Sequence, residues 1–220
     1  DKIVHGFQQD KRQGYDETVY LLLFGKLPTA AELAEFTAYL AQLRYLPQYF
    51  TKDIILSFRG KDIMNMLARS VLSLYTQDDN PDDVTTENLL RQSLSLIAKF
   101  PAIVAYSFHG MRYHYMNKTL VIRHPKPELS SAENFLYMLK GGNRYSPLEV
   151  EILDLMQVLH AEHGGGNNSS FTTHVVSSSL TDTYSAIAAA LGSLKGPLHG
   201  GANIKVMAMV DDIKNNVRNW

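Results

Sequence analysis

The most informative part of the sequence is HAEHGGGNNSSFTTHVVSSSLTDTYSAIAAALGSLKGPLHGGAN, residues 160–203. Near its start His160 and His163 precede three consecutive glycines, and near its end His199 precedes two more. Glycine adopts backbone angles that other residues avoid, and it lets a ligand approach the main chain closely. Histidine is the side chain that exchanges a proton most readily near neutral pH. A hydrophobic core needs neither feature at this density, so we expect the chemistry of the protein here.

The composition around this stretch is that of an ordinary globular protein. Of the 220 residues, 45% are hydrophobic and 20% are charged, and the formal net charge is -1. So small a net charge provides no field that would attract nucleic acid or an anionic membrane. The absence of cysteine excludes disulfides and thiolate metal sites and is consistent with a cytoplasmic protein. No uninterrupted apolar run reaches the length of a membrane span.

Helix signals follow one another along the chain, and alternating strand patterns are nearly absent. Capping boxes, in which a Ser or Thr and a Glu three residues later satisfy each other's backbone N–H groups, begin at Thr29 and Ser146. Apolar residues recur at helical spacing after each of these positions. The sequence therefore predicts an all-α fold.

Three details of this interpretation are specific. Pro101 lies inside the helical pattern that starts at Thr86, so it should kink or split that helix. The helix after Ser146 is apolar on more than one face, which predicts that it is central and buried. One further helix is predicted from about Thr172 through Gly192. Its many small residues would permit a close helix contact or a subunit interface, or would simply favour helix formation.

The histidines of the opening stretch have three possible tasks. As a metal site, His160 and His163 share a helical face, and Glu162 and His174 lie nearby. However, this is not the HExxH arrangement, and no carboxylate stands at a convincing third position. The second possibility is that these histidines only pack within the fold.

The third possibility is a site for an anion. The segment 167–170, Asn-Asn-Ser-Ser, offers side-chain donors, and a turn into a helix points backbone N–H groups outward at the positive end of the helix dipole. Such donors fit a small dicarboxylate. His199 stands at the start of another helix, where the dipole disfavours the imidazolium form. A neutral imidazole there can act as a donor to a carbonyl group.

The opening stretch resembles the central signature of the citrate synthase family. Further segments, ETVYLLLFGKLPT, SLSLIAKFPAIVAY and SAENFLYML, resemble helices of that family's large domain in the same order. The resemblance spans nearly the whole chain, and HAEHGGGN joined to GPLHGGAN at this spacing is highly specific. It implies a multi-helical, citrate-synthase-like large domain over residues 1–200. Residues 201–220 would begin the small domain or form a trailing helix, and the rest of the family's architecture would lie beyond them.

Members of this family join oxaloacetate to the methyl group of acetyl-CoA and then hydrolyse citryl-CoA to citrate, a reaction of the tricarboxylic acid cycle. The resemblance implies that His199 is catalytic and donates a proton or hydrogen bond to the thioester carbonyl oxygen. It implies that His163 binds oxaloacetate and that Asn167 and Ser169 line the same pocket, whereas His160 is structural. It also implies a homodimer with no metal ion and no covalently bound cofactor, because acetyl-CoA is a co-substrate.

The family's mechanism uses further groups: a second histidine, an aspartate that removes the methyl proton, and arginines that bind the substrate carboxylates. By the resemblance these groups lie further along the chain than this sequence runs, so we expect the chain alone not to turn over. Two alternatives stay open. A 2-methylcitrate synthase would take propionyl-CoA, and one methylene changes binding by only about 1 to 3 kcal/mol. The other alternative is a non-catalytic helical dimerisation module.

Overall fold

The computed structural model describes residues 2–10, 12–142, 144–162 and 164–217. Within these ranges the chain forms helices and turns and no β-strand. The all-α prediction is therefore confirmed.

The α-helices follow one another along the chain with short connections. In chain order they are α1 (Lys2–Gln9), α2 (Tyr15–Phe24), α3 (Ala30–Leu43), α4 (Ile63–Leu74), α5 (Thr86–Tyr115), α6 (Ser131–Lys140), α7 (Pro147–Ala161), α8 (Asn168–Ser177), α9 (Thr183–Lys195) and α10 (Gly201–Asn216). A π-helical turn, Thr51–Leu56, precedes α4, and a 3-10 turn, Tyr75–Gln77, follows it. The predicted capping boxes at Thr29 and Ser146 begin α3 and α7, so both are confirmed.

The chain divides into two compact units. The first comprises residues 1–63 and 85–164, and the second comprises residues 64–84 and 165–220. The chain passes from one unit to the other between Gly164 and Gly165, inside the run of three glycines. The boundary expected between residues 200 and 201 stays a prediction.

The first unit is built around α5. Helices α3 and α6 and the π-helical turn pack against α5, while α2 packs against α3 and α7. The rings of Tyr20 and Phe36 meet edge to face with their centroids 5.3 Å apart. A buried cluster that joins α2, α3 and α5 consists of Val19, Tyr20, Phe36, Leu40, Leu94 and Ala98. Burial of apolar side chains such as these stabilises the unit.

The second unit contains α8 and α9 packed side by side. The buried Tyr184 of α9 donates a hydrogen bond from its hydroxyl to Asp78 Oδ2 over 2.6 Å. Its ring also meets the ring of Tyr75 edge to face, with centroids 6.5 Å apart. These two contacts attach the segment after α4 to α9.

The prediction that helix α7 is central and buried is wrong. Its buried residues are Val150 and Asp154. Four large apolar residues at helical spacing are between 49% and 62% exposed: Leu148, Ile152, Met156 and Leu159. The sequence pattern shows that this face is apolar, but it does not show that the chain itself supplies the surface that covers it.

The predicted single helix from Thr172 is also wrong, because two helices occupy this region. Helix α8 ends at Ser177, and α9 begins only at Thr183. Between them Leu180 has φ of 59°, in the left-handed region, which cannot continue a right-handed helix. Asp182 then caps the new helix by accepting a hydrogen bond from the Ser185 N–H at its Oδ1 over 2.8 Å.

Helix α5 runs through Pro101 without a break, so of the two predicted effects of this proline the split is wrong, and the kink stays a prediction. Proline has no N–H to donate to the carbonyl of Ile97. Helix α3 packs against α5 before this position, at Leu94 and Ala98, and Leu56 of the π-helical turn lies beside Gly110 after it. Among the described residues α5 is also the one helix long and apolar enough to cross a membrane, and 56% of its most apolar window is buried inside the fold.

Candidate active site

Asn167 starts α8 and is the first residue of the candidate site. Its Oδ1 accepts a hydrogen bond from the Ser170 N–H over 2.9 Å, and its Nδ2 donates to Ser170 Oγ over 2.7 Å. The N–H groups of Asn168 and Ser169 make no hydrogen bond within the part of the chain that the structure describes. The start of α8 therefore presents two free donors at the positive end of the helix dipole.

The second part of the site is the turn from the end of α9 into α10. The backbone N–H groups of His199 and Gly200 both donate to the carbonyl of Gly196, over 3.0 and 2.9 Å. Gly200 is the residue that caps α10. This turn leaves the His199 ring partly buried at the beginning of α10.

The two parts meet in a hydrogen bond between Ser169 and His199. Ser169 Oγ lies 2.8 Å from His199 Nε2 and 3.2 Å from the carbonyl oxygen of Ala190 in α9. The hydroxyl has one hydrogen and two acceptors within reach. When it donates to Ala190, His199 Nε2 must carry the ring proton; when it donates to Nε2, the neutral ring carries its proton on Nδ1. The orientation of one hydroxyl therefore selects which ring nitrogen of His199 is a donor.

A second contact joins the same elements. Asn168 Nδ2 donates to Ser193 Oγ over 2.8 Å, which holds the start of α8 beside the end of α9. The end of α9 and the turn that follows it therefore bring His199 to the beginning of α8. Two side-chain hydrogen bonds thus join the start of α8 to the end of α9 and to the turn after it.

Among the described residues, the histidine and the glutamate before the three glycines are not part of the contact between Ser169 and His199. His163 lies outside the described residues. His160 has its Nδ1 2.7 Å from the Met156 carbonyl of its own helix and is exposed. Glu162 accepts a hydrogen bond from the Gly164 N–H. In the part of the chain covered by the structure, no three His, Asp or Glu side chains are grouped as metal ligands would be.

The sequence does not indicate that Ser169 pairs with His199, because the family resemblance implies only that Ser169 lines a substrate pocket with Asn167. The two residues are 30 positions apart, and no periodic pattern connects them. The contact arises only because α8 and α9 pack against each other. The resemblance also implies that Asn167 lines the substrate pocket. In the structure its side chain caps α8 by accepting a hydrogen bond from the Ser170 N–H.

The family comparison covers nearly the whole chain. The family model described as citrate synthase, C-terminal domain, matches residues 4–220. Citrate synthase of Deinococcus radiodurans is 39% identical over 203 residues, which are 92% of this chain and 52% of the relative. Citrate synthase 2 of Bacillus subtilis is 38% identical over 204 residues, which are 90% of this chain and 52% of that relative. The chain thus spans about half the length of the curated relatives it matches.

Solved structures show the same fold. Citrate synthase of Pyrobaculum aerophilum superposes with a TM-score of 0.82 at 32% identity, covering 97% of this chain and 52% of that one. The ternary complex of carboxymethyl coenzyme A and oxaloacetate with citrate synthase of Thermoplasma acidophilum gives a TM-score of 0.80 at 27% identity, covering 96% of this chain and 53% of that one. The fold of this chain is therefore that of about half the length of each of these two citrate synthases.

Proposed function

This chain belongs to the citrate synthase family, and on that premise we propose that its site takes part in the condensation of oxaloacetate with acetyl-CoA to give citrate and CoA. The observation that carries the proposal is the 2.8 Å contact between Ser169 Oγ and His199 Nε2 at the start of α8. The relative from Thermoplasma acidophilum was solved with carboxymethyl coenzyme A and oxaloacetate, which is consistent with these two substrates.

In this proposal His199 is the acid of the enolisation step. Removal of a proton from the acetyl methyl group develops negative charge on the thioester oxygen, and a donor within hydrogen-bond reach stabilises that charge. When the Ser169 hydroxyl donates to Nε2, the His199 ring presents Nδ1–H as this donor. Ser169 therefore holds His199 in the tautomer that the reaction requires.

The oxaloacetate carboxylates need donors of a different kind. The free N–H groups of Asn168 and Ser169 lie at a helix start, which is favourable for an anion. We propose that His163 and Asn167 contribute to the same subsite. The base and the carboxylate-binding arginines belong, by the family resemblance, to the half of the relatives' length that this chain does not span.

The proposal includes a homodimer in the cytoplasm with no metal ion and no covalently bound cofactor. Without the groups that lie in the other half of the relatives' length, the 220-residue chain would be a helical dimerisation module with no catalysis of its own. The base must remove a proton from the methyl carbon while the acid stabilises charge on the carbonyl oxygen of the same acetyl group, so the acid without the positioned base does not complete the step. We therefore expect the isolated chain to release no CoA.

The proposal is tested in the longest natural form of the protein, by CoA release from acetyl-CoA in the presence of oxaloacetate. H199Q should lower kcat by at least about 100-fold, the usual contribution of one acid or base, with a smaller effect on the KM for oxaloacetate. Propionyl-CoA in place of acetyl-CoA distinguishes the 2-methylcitrate reaction. Turnover in H199Q equal to that of the wild type would contradict the assigned role. CoA release by the isolated chain at the rate of the longer form would contradict the proposal that this chain holds only the acid of the catalytic pair.

A further inference from the structure

The fold leaves no room for a side chain at position 200, which is a glycine. A Cβ added to Gly200 would lie 2.0 Å from the carbonyl oxygen of Leu194 and 3.2 Å from its carbonyl carbon. Both are backbone atoms of α9, so no rotation of a side chain could relieve the overlap. Gly200 has φ of -75°, which any residue adopts, and therefore the restriction is contact with α9 and not backbone angle.

The reason for the close approach is the turn that begins at Gly196. The Gly196 N–H donates to the Ser193 carbonyl over 3.1 Å, and the Gly196 carbonyl accepts from both His199 and Gly200. The turn thus folds back over the last turn of α9. The Leu194 carbonyl is one of the four at the end of α9 that have no partner within the helix, and the Gly200 Cα lies against it.

Helix α9 also fixes the other member of the catalytic pair. Ser169 Oγ lies 3.2 Å from the Ala190 carbonyl oxygen, and Ala190 lies four residues before Leu194. Residues four apart lie on one face of a helix, about one turn of 5.4 Å from each other. The Ser169 hydroxyl and the Gly200 Cα therefore rest on two successive carbonyls of the same helix face.

We infer that Gly200 is a positioning residue, and that its contact with the Leu194 carbonyl sets the His199 ring at hydrogen-bond distance from Ser169. The inference about geometry is independent of the reaction, whereas its effect on turnover rests on the proposed function. Any side chain at position 200 must lift the start of α10 from α9, and His199 moves with it. The 2.8 Å contact with Ser169 is then lengthened or lost.

The first test uses the 220-residue chain and nitrogen NMR of the His199 ring, which reports which ring nitrogen carries the proton. The His199 signals are assigned by their loss in H199Q, and S169A provides the spectrum of a ring without its partner. G200A should shift the His199 signals toward those of S169A. The matched control is G201A, because a Cβ at the neighbouring glycine meets no atom within 4 Å, and it should keep the wild-type spectrum. A folded G200A with wild-type His199 signals overturns the inference.

A milder variant keeps the test decisive if G200A does not fold, as judged by circular dichroism. A Cβ at Gly196 would lie 3.2 Å from the Ser193 carbonyl, so G196A requires the same turn to move by only a few tenths of an ångström. It should shift the His199 signals in the same direction by a smaller amount. Unchanged signals in G196A would overturn the inference in that case.

The second test measures turnover in the longest natural form of the protein. G200A should lower kcat by about 100-fold, since a displacement of about 1 Å has this effect on a positioned group. The KM for oxaloacetate should change by no more than about threefold, because the start of α8 stays in place. An equal loss in kcat and in affinity for oxaloacetate would indicate a general structural defect and overturn the positioning role. If the wild type shows no turnover, the proposed function fails, and the NMR result still decides the role of Gly200.

Discussion

Asp154 is a charged residue that the fold keeps almost entirely out of water, with 3% of its surface exposed. Its Oδ2 accepts from the Gly14 N–H over 2.7 Å and its Oδ1 from the Tyr15 N–H over 3.1 Å. Burial raises the pKa of the Asp154 carboxyl, and the two backbone hydrogen bonds partly oppose this rise. The residue therefore caps α2 from α7, 140 positions away, and fixes the two helices together.

Removal of this cap should destabilise the first unit. In D154A the buried N–H group of Gly14 and the partly buried N–H group of Tyr15 lose their acceptor, and we expect a loss of roughly 3 kcal/mol in the free energy of unfolding. D154N keeps one acceptor and should lose less than half of that amount. Urea unfolding monitored by circular dichroism measures both values. E151A, an exposed residue of the same helix, is the control, and an equal effect of D154A and E151A would contradict the capping role.

His109 is a buried histidine in α5, outside the candidate site. Its Nε2 lies 3.1 Å from the Met138 carbonyl, which accepts the ring N–H. Burial is the main cause that lowers the pKa of His109, and the positive charges of Arg123 and Arg112 lower it further, while the bond to Met138 opposes the change. The folded state therefore prefers the neutral ring.

This preference predicts a pH dependence of stability. As pH falls below the ordinary histidine pKa of about 6.5, the unfolded chain takes up a proton that folded His109 resists, so the free energy of unfolding decreases until the folded pKa is reached. The urea midpoint of the wild type should fall between about pH 7.5 and about pH 5.5, and that of H109Q should fall less. H174Q, at an exposed position, should keep the wild-type fall. An identical pH dependence in wild type and H109Q would argue against this linkage.

At the scale of the element, helix starts were predictable and one helix interruption was not. The boxes at Thr29 and Ser146 depend on two residues three positions apart, so local sequence is sufficient to predict them. The interruption between α8 and α9 depends on a left-handed Leu180, which the sequence does not indicate because leucine rarely adopts that conformation. Asp182 was a signal that could have revealed the new helix, since aspartate is a preferred cap.

The left-handed Leu180 makes a testable prediction about the connection between α8 and α9. A left-handed conformation costs a leucine about 1 to 2 kcal/mol, and asparagine adopts it more readily. L180N should therefore raise the free energy of unfolding by about 1 kcal/mol, measured in urea. V175N is the matched control, because it replaces an exposed apolar residue inside α8, where the backbone is right-handed, and no gain is expected. A gain of the same size in V175N would indicate that loss of surface apolarity is the cause.

At the scale of the whole molecule, the helical class predicted from the sequence is confirmed, whereas the roles of His199, Asn167 and Ser169 stay predictions. The sequence could not predict that Ser169 contacts His199, because that distance depends on the packing of α8 and α9 and not on either segment alone. The sequence pattern also predicted wrongly that α7 is buried, because the apolar face of α7 is exposed. Patterns of polarity identify which faces avoid water, whereas the identity of the covering surface requires the tertiary structure.

Helix α10 is the element that most clearly lacks such a covering surface. None of its residues is buried, and Ile204 and Met207, three positions apart on one face, are 75% and 60% exposed. An apolar face of this kind favours association between copies of the chain. Helix α7 also exposes an apolar stripe, but its buried Val150 and Asp154 attach it to its own unit.

The last prediction is therefore that the 220-residue chain self-associates through α10. Covering one large apolar side chain contributes about 1.5 to 3 kcal/mol, and each 1.4 kcal/mol changes a dissociation constant tenfold, so I204K combined with M207K should weaken association by at least about 100-fold. Sedimentation velocity over a range of concentrations measures this constant. The matched control, Q8K combined with S179K, introduces the same charges at two exposed polar positions and should leave the constant within about threefold. A wild type that stays monomeric would contradict the prediction, and so would an α10 variant that associates as tightly as the control. Equal weakening by both pairs would show that added charge, and not the loss of the α10 face, controls association.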